Sequence, residues 1–87
     1  MKFSTELIDA ALKTRDLSER GLCKELGIGA STLAMARKRG HVPPHLAGRL
    51  AELVGEEPTR WIAIAALETA PPTQAVTRYK RLLHAIL

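Results

Sequence analysis

The chain has 87 residues, 46% of them hydrophobic and 25% charged, which is room for one thin-cored domain and too apolar for a disordered one. Its formal charge of +4 and pI near 9.7 suit a polyanionic partner. Aromatic residues make up only 3% while Ala and Leu abound, a bias that favours helix over sheet.

Gly and Pro divide the chain into six expected helices. The first runs from about Ser4 to Arg15, with Ser4 as its N-cap, Glu6 in its first turn, and Phe3, Leu7, Ile8, Ala11 and Leu12 along one face. The second follows the cap residue Ser18 and ends at Gly27, and the third runs from Gly29 or Ala30 to Arg39 with Gly40 as its stop. The fourth opens at Pro43-Pro44 and carries Leu46, Leu50 and Leu53 with Ala47, Ala51 and Val54 to a stop at Gly55. The fifth starts at Pro58 and includes Trp61 to Leu67, apolar on nearly every side and therefore expected to be covered all round. After the break at Ala70-Pro71-Pro72-Thr73, a sixth spans Gln74 to Leu87 with Val76, Tyr79, Leu83 and Ile86 as a stripe.

The pair formed by the second and third helices carries the functional signal. Leu22, Leu26, Ile28, Leu33 and Ala36 are apolar, and small Cys23 lies where two helices must approach closely. That spacing pins the helices across each other and leaves Ala30, Ser31, Thr32, Ala34, Met35 and Lys38 outward. The outward face is small and neutral at its start and cationic at its end, where Arg37-Lys38-Arg39 precede Gly40. Small side chains allow close approach to base edges in a major groove, and cations beside them neutralise phosphates.

On Leu22, Leu26, Gly27, Ile28, Leu33, Ala36 and Gly40, residues 18–40, and more loosely 4–70, resemble the Cro and lambda-repressor family of helix-turn-helix proteins. The resemblance implies an all-α, five-helix lambda-repressor-like domain over residues 1–70, with an additional C-terminal helix over 71–87. It implies base-edge contacts from Ala30, Ser31, Thr32 and Met35, and phosphate contacts from Lys38 with Arg37 or Arg39 alongside. The family usually begins the second helix with a Gln that steadies a phosphate; here Glu19 would repel one, and Ser18 or Arg20 is expected to substitute. Ala30 replaces the polar reader common at its place, so direct readout is expected to be sparse and supplemented by DNA shape.

The helix past Pro71 is similar to the extra C-terminal helix that small phage and plasmid regulators use for pairing. The stripe of Val76, Tyr79, Leu83 and Ile86 either folds back on the chain's own core or meets its copy in a partner chain; pairing is the favoured expectation, with these four and Trp61 as the dimer interface. The expectation is a homodimeric, cytoplasmic transcriptional regulator of phage or prophage type, a repressor on a palindromic double-stranded operator, with recognition helices about 34 Å apart. Two rivals share these features: a phage-encoded interaction module that binds a host protein, and a DNA-architectural or excision factor.

Other residues carry bland readings. Cys23 reads as core, and as a lone cysteine it calls for no oxidising compartment. His41 and His45 are split by Pro43-Pro44 with no further ligands at metal-site spacing, so neither metal nor cofactor is expected. No paired carboxylates, activated nucleophile or phosphate loop points to an enzyme. The longest apolar run, Trp61 to Leu67, is far short of the roughly 20 residues of a membrane span, and Glu6 interrupts the amino-terminal segment before any secretory apolar stretch.

Overall fold

Six helices were expected, and the described residues of the computed structural model form six: α1 (Glu6–Arg15), α2 (Glu19–Leu26), α3 (Thr32–Arg39), α4 (Pro44–Val54), α5 (Pro58–Thr69) and α6 (Gln74–Ile86). It describes residues 3–71 and 73–86, apart from the side chains of His84 and Ile86, and these residues include no strand. The chain is all-α.

The helix ends are made by the chemistry read from the sequence. Gly27, Gly40 and Gly55 take φ of 70°, 84° and 78°, the left-handed conformation that lets a chain leave a helix at once. After Gly27 the amide of Ile28 donates back to the Cys23 carbonyl at 3.0 Å and that of Gly27 to Lys24 at 3.2 Å, so the last turn of α2 is closed without water. Asp16 closes α1 in the same left-handed region, at φ 54°. At the other end of α2, Ser18 Oγ accepts from the Gly21 amide at 3.1 Å, the N-cap expected of it.

One core joins α1 to α5. Leu7, Ile8 and Ala11 of α1, Leu22, Cys23 and Leu26 of α2, Leu33 and Ala36 of α3, Leu46, Ala47, Leu50 and Ala51 of α4, and Trp61, Ile64 and Ala65 of α5 are all buried. The broadest helix pair is α4 against α5, with α1 laid on α4. Gly48 faces α5 at this contact: a Cβ there would meet Ile62 Cδ1 at 2.9 Å, so the Ile62 side chain would have to shift.

Five expectations are corrected. Ser4 is not the N-cap of α1, which begins at Glu6. It is wholly buried; its hydroxyl accepts from the Val42 amide at 2.9 Å and donates to the Glu68 carboxylate, while its own amide donates to Glu68 Oε2 at 3.0 Å. A residue that suits a cap instead ties the N-terminal segment to the end of α5 and to the loop before α4. Phe3 is 52% exposed, so the apolar face of α1 begins at Leu7.

Helix α5 is not covered all round either: Ile62 is 40% exposed and Ala66 is exposed, because only α4 and α6 make extensive contact with it. Trp61 belongs inside this chain and not at a pairing surface. It is 1% exposed, and its indole N–H donates to Glu56 Oε1 at 3.2 Å, which satisfies its one polar atom within the fold.

Helix α6 lies on α5 and turns Val76, Lys80 and Leu83 to its half-buried side, with Leu83 packed on the core. Tyr79 and Leu82 remain 49% and 56% exposed. The expected stripe is therefore divided: Leu83 is occupied at home, Tyr79 is open, and the Ile86 side chain lies outside the described residues. No helix among those residues is long and apolar enough to cross a membrane.

Candidate nucleic-acid interface

The core fixes α3 by one side only. Leu33 and Ala36, three residues apart, are 0% and 2% exposed, and α3 meets α2. Cys23 Sγ lies 3.7 Å from the Ala30 carbonyl, so its small side chain sits where α2 meets the turn before α3, as its size suggested. With the inward side committed to packing, Ala34, Met35, Lys38 and Arg39 are exposed, and Ala30 and Ser31 precede them in the open.

The turn between α2 and α3 is longer than the sequence suggested. Helix α3 starts at Thr32, with Ser31 at its N-cap position and no side-chain cap bond, so residues 27–31 all belong to the connection. Ala30 and Ser31 thus stand at the amino end of α3 and not within it. Ser31, Thr32 and Met35 nevertheless come together: with Ala36, Arg39 and Pro43 they line a shallow depression on this face. Ala30 is not among the residues that line it.

The expected phosphate-contacting residues divide into two groups. Arg20, Lys38 and Arg39 are exposed, and no described carboxylate forms an ion pair with them. Arg37 is turned back into the fold. Its Nη2 donates to Asp9 Oδ1 of α1 at 2.6 Å, and its Nε lies 3.4 Å from Glu19 Oε2 of α2. The hydrogen bond to Asp9 raises its pKa above the usual arginine value against a smaller opposing effect of burial, and Glu19 adds to the rise. Arg37 thus shares its charge with two carboxylates and acts as a strut between three helices, a role that the sequence did not suggest for it.

The same contact answers the difficulty posed by Glu19. Its carboxylate faces Arg37, with Oε1 buried and without a hydrogen-bond partner, so its charge is matched within the fold. Ser18, expected to substitute for the missing Gln, is exposed; as an acceptor from Gly21 its hydroxyl keeps its own proton for another acceptor.

Asp9 and Arg37 were not linked by reading the sequence. They are 28 positions apart, and no local spacing joins an exposed carboxylate on α1 to a cation in a run of three. Arg15 and Glu25 form a further ion pair, tying the end of α1 to α2.

No family model, curated protein or solved structure gives a significant match to this chain.

Proposed function

We propose that this chain is a sequence-specific, double-stranded DNA-binding transcriptional regulator, with residues 1–70 as a five-helix lambda-repressor-like helix-turn-helix domain. It acts in the cytoplasm as a homodimeric repressor on a palindromic operator. The observation that carries the reading is the division of α3: Leu33 and Ala36 are buried, while Ser31, Met35, Lys38 and Arg39 stand in the open. A helix anchored by one side and bare on the other, neutral at its amino end and cationic at its carboxyl end, has the chemistry to enter a major groove.

Each side chain has a role in this reading. Ser31 and Thr32 donate to or accept from base edges, Ala30 and Met35 pack on thymine methyls, and Lys38, Arg39, Arg20 and Ser18 hold phosphates. Tyr79 and Leu82 form the apolar ridge on which a second copy pairs.

The test is binding to the DNA around the protein's own gene against random-sequence duplex, at two salt concentrations. The expected result is a preference for the own-gene DNA that persists at the higher salt, with both affinities falling as salt rises. Equal affinity for the two duplexes overturns sequence-specific regulation.

A further inference from the structure

Helix α6 bears a second charged face. Thr77, Arg78 and Arg81 follow Gln74 by three, four and seven residues, the spacing of one helix side, and all four are exposed while Val76, Lys80 and Leu83 are half-buried. Residues 71–87 hold three cations and no Asp or Glu. Among the described residues no ion pair reaches Arg78 or Arg81, in contrast to Arg15 and Arg37, which are tied to carboxylates. Arg78 lies 6.0 Å from the centroid of the Tyr79 ring, a contact at the limit of cation–π range that neutralises no charge. The four residues, with Thr73 and Ala75, line an open hollow of about 840 Å³.

A surface of two unpaired guanidinium groups flanked by an amide and a hydroxyl offers hydrogen-bond donors and positive charge, with no carboxylate in its lining to oppose an anion. Its complement is a run of closely spaced phosphates, which the arginine fork binds two oxygens at a time. We propose that Gln74, Thr77, Arg78 and Arg81 form an auxiliary, sequence-independent grip on the phosphate backbone of duplex DNA. The proposal rests on the reading of the chain as a duplex-binding protein, and it gives α6 a task beyond pairing.

The test compares full-length wild type with an Arg78→Gln, Arg81→Gln variant on own-gene and random duplexes across a salt series. A control variant, Arg49→Gln with Arg60→Gln, removes the same charge from exposed positions on α4 and α5. The expected result is a slope of log affinity against log salt shallower in the α6 variant by about 1.8 for each bound chain, hence about 3.6 for a bound dimer, from about 0.9 per phosphate lost. The change is equal on both duplexes, the own-gene preference is kept, and the control slope stays at the wild-type value.

An unchanged slope in the α6 variant, while wild type still discriminates, overturns this grip and leaves the role of α3 standing. An equal loss of slope in the control reduces the effect to overall charge and also overturns it. If the α6 variant keeps its slope but sediments as a smaller species than wild type, the face belongs to chain pairing and the proposal fails. A wild type that binds neither duplex overturns the grip and the regulator reading together.

Discussion

Ser4 shows how far one polar residue can govern the fold. Its hydroxyl is the acceptor for the Val42 amide at 2.9 Å and a donor to Glu68, in a site closed to solvent. Ser4→Ala leaves that buried amide and one carboxylate oxygen without their partner, and the expected loss is about 1–3 kcal/mol in urea unfolding. A variant as stable as wild type would show that the bond contributes nothing net. Arg37 is the other residue whose work is at home. Because its folded pKa is raised, the contribution of its contacts is fully present below the unfolded arginine value. It is lost only as pH rises through the still higher folded one, so the guanidinium adds no pH dependence to stability near neutrality. Neither role was legible in the sequence. A serine before a helix looks like a cap whatever it does, and Asp9 and Arg37 meet only once three helices have packed.

At the scale of elements the sequence was more informative, because Gly and Pro act locally. Gly27, Gly40 and Gly55 stop helices where expected, and Pro44 and Pro58 open two others. Helix α3 starts two to three residues later than the spacing predicts, since no side-chain cap bond fixes its first turn. Gly27 holds the turn that sets α3 against α2. There Gly27→Val, a β-branched residue at φ 70°, is expected to cost about 1–2 kcal/mol in thermal or chemical unfolding. Gly27→Asn is expected to cost clearly less, because asparagine tolerates the left-handed region. Equal costs for the two would mean that the strain lies elsewhere. The stripe on α6 was read only in part, because periodicity defines an apolar side without saying what meets it: Leu83 turned to the core and Tyr79 to the surface.

For the whole molecule, the core inventory was legible from apolar spacing, but the destination of the surplus apolar surface was not. Trp61 is consumed inside the chain, while Tyr79 and Leu82 are exposed on α6 and form the ridge proposed for a second copy. Wild type is therefore expected to sediment as a dimer at micromolar concentration, and Tyr79→Ser with Leu82→Ser as a monomer of unchanged helicity. A wild type that stays monomeric at high micromolar concentration removes pairing from the account. The candidate interface was legible because it depends on residue types at fixed spacing, small then cationic, on the one side of α3 that packing leaves bare.

Whether that bare side reads sequence is measured by the ratio of affinities for own-gene and random duplex in Ser31→Ala, Thr32→Ala protein against wild type. The double variant is expected to lose about 1–3 kcal/mol on the own-gene DNA and little on random DNA, so that the ratio collapses. Lys38→Ala is expected to weaken both duplexes alike and keep the ratio. A double variant that retains the wild-type ratio would contradict the assignment of α3 as the helix that reads sequence.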